Sequence, residues 1–186
     1  MKERNIDKKQ DVQEVLFSEE VLTKRIKELA SDISKDYKGK DLVVVGILKG
    51  SVIFAAELIK NISIHCEIDF MAVSSYGNST ETSGVVRILK DLDNNIEGKD
   101  ILVVEDIVDT GVTLTYLLKY LKARKANSIE IVALLNKQAR RAADLDVKYI
   151  GFEVPDGFIV GYGIDYAEKY RNLPFIGILK PEVYEK

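Results

Sequence analysis

The chain has 186 residues, 46% of them hydrophobic and 31% charged, with a formal net charge of −3. That is enough apolar material for one well-buried core, and the balance excludes a disordered segment and argues against an extended nucleic-acid surface, which would be strongly basic. The single cysteine, Cys66, rules out an internal disulfide, the single histidine, His65, rules out a zinc site built on two or three histidines, and no apolar run reaches the ~20 residues of a membrane span.

The opening MKERNIDKKQ is charged and lacks the apolar core of a secretory signal, so a cytoplasmic location is expected. Residues 13–36 carry apolar side chains at helical spacing and predict one helix, with Glu20 and Glu28 on its charged face. DLVVVGIL over 41–48 predicts a buried strand, and Lys49-Gly50-Ser51 turns the chain into the helical stretch VIFAAELIKNI. Residues 62–75 alternate like a strand that would hold His65 as a structural side chain, and the polar run YGNSTETSG predicts a loop. Strands are expected over 85–92, 101–104 and 129–135, with a helix over 112–126 between the last two. This order predicts an α/β fold with a mainly parallel, twisted sheet flanked by helices. From Tyr149 the pattern breaks into short strands and turns through YIGFEVPDGFIVGYGIDY to PFIGILKP, which predicts a small cap on the sheet's edge. No Gly-, Ser- or Pro-rich linker interrupts the chain. One domain over 1–186 is expected, with a core of about 37–150 and a cap of about 151–186 joined by N-terminal residues.

The densest chemistry lies in ILVVEDIVDTGVT, residues 101–113, a strand that turns into a helix. In an open α/β sheet ligands bind outside the carboxyl ends of strands, and Thr110, Gly111, Val112 and Thr113 open a helix with free N–H groups and hydroxyls for an anion. Glu105, Asp106 and Asp109 would repel a phosphate there unless a sugar diol or a divalent cation stood between them. A ribose 5-phosphate with Mg²⁺ supplies both. Other candidates are ambiguous as bare residues. Lys49-Gly50 is a common turn, 74–77 is a polar loop, Lys137 in NKQ suits a solvated strand end, Phe158 suits a core, and Asp165 with Arg171 suits an exposed charge pair.

VVEDIVDTGVT closely resembles the phosphoribosyl-pyrophosphate (PRPP) signature of type I phosphoribosyltransferases, in the form carried by the hypoxanthine (guanine) branch of that family. Four further stretches resemble the family in order: LKGS after VVVGI, SSYG at 74–77, NKQ at 136–138, and VPDGFIVGYGIDYAEKYR at 154–171. The resemblance covers about Leu42 to Leu179 and implies a Rossmann-like core with a hood. It implies transfer of phosphoribosyl from PRPP to hypoxanthine or guanine with Mg²⁺ in purine salvage, by a homodimer or homotetramer with no nucleic-acid or membrane partner. By that match Glu105 and Asp106 hold the ribose hydroxyls, directly or through Mg²⁺, and Thr110 to Thr113 hold the 5-phosphate. Asp109 takes the proton from the purine's imidazole nitrogen. Lys49, Gly50 and Arg171 bind pyrophosphate, the Lys-Gly peptide often being cis, and Asp165 binds a second Mg²⁺. Ser75 and Tyr76 belong to a lid, Phe158 stacks on the base, and the Ile159 backbone meets its edge. Lys137, whose ammonium only donates, selects a 6-oxo over a 6-amino purine. Val112 stands where some relatives carry lysine, leaving the phosphate to backbone N–H groups and threonines. A xanthine-preferring enzyme and a nucleotide-sensing, RNA-binding regulator on the same fold are the alternatives.

Overall fold

The computed structural model describes residues 10–75 and 86–185. Its chain order is β1 (Val12–Phe17), α1 (Glu19–Asp36), β2 (Leu42–Leu48), α2 (Val52–Asn61), β3 (Glu67–Ser75), β4 (Val86–Lys90), β5 (Asp100–Val108), α3 (Val112–Ala123), β6 (Ser128–Asn136), β7 (Tyr149–Glu153), β8 (Ile159–Val160), β9 (Ile176–Leu179) and α4 (Pro181–Tyr184). Six strands form one sheet in the order β4-β3-β2-β5-β6-β7. Every neighbouring pair from β3 to β7 is parallel, and β4 runs antiparallel to β3 at the edge.

The strands are apolar on both faces because both are covered, as parallel sheets require. On β2 and β5, Leu42, Val44, Leu102 and Val104 pack under α1 and α2 with Leu22, Ile26, Phe54 and Leu58. The intervening Val43, Val45, Ile101 and Val103 pack under α3 with Leu114, Leu117 and Leu121. A second sheet, β1-β9-β8, forms the cap from the two ends of the chain.

Four predicted elements change. Residues 13–17 do not begin the first helix; they form β1, antiparallel to β9. The helix starts at Glu19 because Ser18, extended at φ −71° and ψ 162°, caps it with its side chain on the Val21 N–H at 3.4 Å. Residues 62–66 leave the third strand and follow α2 as irregular chain, with the Ser63 N–H donating to Ser34 Oγ on α1 at 3.0 Å; His65 is exposed there. The third helix stops at Ala123, just before Lys125 at φ +60°. β5 is longer than expected and carries Glu105 and Asp106 within its ladder.

Candidate active site

Because side chains alternate along a strand, the neighbours Glu105 and Asp106 face opposite sides of β5. Glu105 lines a cavity of about 150 Å³ with Asp109, Thr110, Gly111 and Thr113, between the strand end and the start of α3. Asp106 faces Gly50, where a Cβ would overlap its Oδ2. Its Oδ1 accepts the Ile107 N–H at 2.9 Å. Burial pushes both carboxyls up: Glu105 well above the usual carboxylate range, with the charge of Asp106 adding to the effect, and Asp106 to about 6, against its backbone hydrogen bonds and the nearby Arg171.

The turn between them and α3 is shaped for an anion. Gly111 precedes the helix in the left-handed region at φ +78°, a conformation that glycine adopts without strain. The Thr115 N–H closes the first helical bond onto the Gly111 carbonyl at 2.9 Å, so the preceding N–H groups have no partner within the helix. The Thr110 carbonyl accepts the N–H groups of Ala142 and Ala143, which pins the turn against the segment after β6.

Asp109 also lines a second cavity, of about 430 Å³, with Lys137, Arg140, Asp156, Phe158, Ile159 and Tyr184. It therefore stands where the two cavities meet. Its Oδ2 lies 3.4 Å from Arg140 Nη1, and its Oδ1 is buried with no hydrogen-bond partner among the described residues. Lys137 sits at the end of β6, only 6% exposed, and donates to the Gly157 carbonyl at 2.7 Å. Burial lowers its pKa, opposed by Asp109 and Asp156. The Phe158 ring is partly exposed, stacked on Tyr184 at 4.9 Å and edge-on to Tyr166 at 5.0 Å. Ile159 enters the cleft from β8, where it pairs with Ile178 on β9.

On the other side of β5 the turn after β2 meets the cap. A Cβ at Gly163 would overlap the Gly50 carbonyl oxygen, so the absence of a side chain at Gly163 lets these backbones touch. Lys49 Nζ donates to Glu168 at 3.0 Å. Arg171 pairs with Asp165 at 2.8 Å and donates to the Gly163 carbonyl at 2.8 Å. The cis peptide lies at Leu48–Lys49, one bond before the expected Lys49–Gly50.

The phosphoribosyl transferase domain family matches residues 13–167. A hypoxanthine-guanine phosphoribosyltransferase of Bacillus subtilis (strain 168) is 55% identical over 177 residues, covering 95% of this chain and 98% of its own. This chain belongs to the phosphoribosyltransferase family. A relative of the same description from Staphylococcus aureus (strain Mu50 / ATCC 700699) is 56% identical over 174 residues, covering 94% of this chain and 97% of its own. A crystal structure of a Staphylococcus aureus hypoxanthine phosphoribosyltransferase superposes with a TM-score of 0.95 at 54% identity, over 99% of this chain and 100% of the other.

This phosphoribosyltransferase thus brings Glu105, Asp109, Thr110, Gly111 and Thr113 together with Lys137, Phe158 and Ile159 around two cavities that share Asp109, while Asp106 faces Gly50 on the other side of β5. Val112 opens α3 with its side chain 39% exposed. Lys49, Gly50, Asp165 and Arg171 gather on the far side of Asp106. Of the two residues expected in a lid, Tyr76 lies outside the described residues and Ser75 ends β3. Arg140, Asp156, Glu168 and Tyr184 are additions that sequence reading missed. The basic run QARR after Lys137 was a signal for Arg140; Glu168 and Tyr184 gave none, since their partners Lys49 and Phe158 are distant in the chain.

Among the described residues no three His, Cys, Asp or Glu side chains converge as a metal cage. Hard carboxylate oxygens are the donors Mg²⁺ takes, and it is commonly held by one or two of them together with substrate oxygens. Glu105 and Asp106 meet that requirement, because each holds a carboxyl whose charge burial leaves poorly compensated.

Proposed function

We propose that the chain transfers the 5-phosphoribosyl group of PRPP to N9 of hypoxanthine or guanine, forming IMP or GMP and pyrophosphate with inversion at the anomeric carbon. The observation that carries this reading is the position of Asp109, shared by an anion cradle on one side and an aromatic-edged cleft holding a buried lysine on the other. A reaction that joins a ribose phosphate to a flat base has its reacting carbon at that junction.

Thr110, Gly111 and Thr113, with the helix N-terminus, hold the 5-phosphate. Glu105 and Asp106 accept from the ribose hydroxyls. The anomeric carbon becomes cationic as pyrophosphate leaves, so these residues act chiefly by placing the ribose against the base. The unpartnered Oδ1 of Asp109 takes the proton from the purine's imidazole ring. Lys137 donates to the 6-oxo group, which an adenine amino group cannot accept. Phe158 covers the base, with its own ring fixed by Tyr184 and Tyr166. Lys49 and Arg171 neutralise the departing pyrophosphate. Glu105 and Asp106 would hold one Mg²⁺ and Asp165 a second; when bound, the metal neutralises phosphate charge and makes pyrophosphate a better leaving group. The whole chain acts as one cytoplasmic catalytic unit, in a homodimer or homotetramer.

Purified protein mixed with PRPP and Mg²⁺ and offered hypoxanthine, guanine, xanthine, adenine or uracil tests the reading. IMP and GMP are expected with release of pyrophosphate, and adenine and uracil should give at most a small fraction of that rate. Nucleotide formed from adenine but not from hypoxanthine would overturn it.

A further inference from the structure

Both cations assigned above to pyrophosphate are already engaged by carboxylates of one short segment. Glu168 Oε2 accepts from Lys49 Nζ at 3.0 Å, and its Oε1 lies 3.5 Å from Arg171 Nη2. Asp165 takes the same Arg171 nitrogen at 2.8 Å, and its other oxygen accepts the Glu168 N–H at 2.8 Å. The Lys49 and Glu168 side chains are 68% and 65% exposed, so the pair is weak enough to exchange partners. Arg171 keeps a buried Nε with no hydrogen-bond partner among the described residues, one donor still unmatched in this arrangement. Ala167, Glu168 and Tyr170 have φ of +49°, +61° and +73°. Backbone in that region is costly for residues with a side chain, and the side-chain bonds to Lys49 and Arg171 help to hold it.

We propose that Glu168 is an internal counter-anion of the pyrophosphate subsite: it occupies Lys49 and Arg171 while the subsite is free, and pyrophosphate displaces it. The inference rests on the assignment of Lys49 and Arg171 to pyrophosphate. Two consequences follow from the charges. The carboxylate links the turn after β2 to the cap and gives Lys49 a partner beside an Arg171 that Asp165 also holds. It also competes with pyrophosphate, weakening its binding and so favouring product release. Glu168 acts through the two cations and is a positioning residue.

The test is calorimetric titration of inorganic pyrophosphate with Mg²⁺ into the parent protein and into Glu168→Gln, Lys49→Ala and the double variant. Glu168→Gln keeps the shape of the side chain and removes its charge. It should bind pyrophosphate about three- to tenfold tighter than the parent, with a matching fall in the product-inhibition constant and an unchanged KM for hypoxanthine. Lys49→Ala and the double variant should differ from each other by less than the parent and Glu168→Gln do. Glu168→Asp should lie near the parent. Pyrophosphate binding that is equal or weaker in Glu168→Gln, with an unchanged unfolding temperature and with IMP formed by the parent, would overturn the counter-anion and leave the proposed reaction standing. A parent that forms no IMP and binds no pyrophosphate would overturn both.

Discussion

Asp69 on β3 and the acidic pair on β5 are carboxylates of one sheet, two strands apart, with opposite surroundings. Asp69 is 6% exposed and satisfied: its oxygens accept the Phe70 N–H at 2.7 Å, the Asp93 N–H at 2.8 Å and Lys90 Nζ at 3.4 Å. Burial is the largest influence on Asp69 and raises its pKa, yet the combined hydrogen bonds and charge leave it below its ordinary value. Among the described residues no cation pairs with Glu105 or Asp106, and burial leaves both raised. The first carboxylate is complete within the fold and braces the segment after β4. The second pair has only backbone N–H groups on Asp106 as partners among the described residues, an arrangement that suits a site for ligand hydroxyls, a cation, or both. Natural proteins tolerate such local cost where function needs it.

The sharpest break in that comparison is at Asp109, whose buried Oδ1 has no partner. Asp109→Asn keeps the shape and removes the proton acceptor, so kcat should fall by about 10²- to 10⁴-fold while PRPP binding persists. A near-normal kcat would return Asp109 to a mere ion pair with Arg140. Next in size is Lys137→Gln. Loss of a charged donor should lower kcat/KM for hypoxanthine by about ten- to a hundredfold with little change in the KM for PRPP. Equal losses for both substrates would mean that Lys137 only supports the Gly157 carbonyl.

The smallest effect on activity and a clear one on stability belong to Asp69→Asn. The variant should lose about 1–3 kcal/mol at neutral pH with kcat unchanged. The sign for pH follows from the lowered pKa. Asp69 contributes stability above the unfolded aspartate value of about 3.9, and that contribution is lost as pH falls through the lower folded value. Parent and variant should therefore converge in unfolding temperature as pH drops below about 4. A gap that stays constant with pH would remove the electrostatic account of Asp69.

The legibility of these sites in the sequence follows the range of the signal. The β5–turn–α3 motif is local: an apolar run, a turn glycine and a helical period lie within 101–123, and the structure keeps their order. The opposite facing of Glu105 and Asp106 was implicit in strand alternation and needed only the knowledge that β5 runs on to Val108. β1 was misread because Val15 continues the helical stripe of Leu22, Ile26 and Leu29, and the choice of a strand is made by β9 at the other end of the chain. Tyr184 on Phe158 and Glu168 on Lys49 depend on how the cap folds back over the sheet, and no local pattern records that contact.

The claim that the β5 carboxylates are a receptor and Asp69 a brace is tested most directly by calorimetric titration of PRPP with Mg²⁺ into the parent, Asp106→Asn and Asp69→Asn. Asp106→Asn should bind at least about tenfold more weakly. Asp69→Asn should bind within about twofold of the parent, because its lost bonds lie outside the site. PRPP bound equally well by Asp106→Asn and the parent, or lost equally from both variants, would contradict the account.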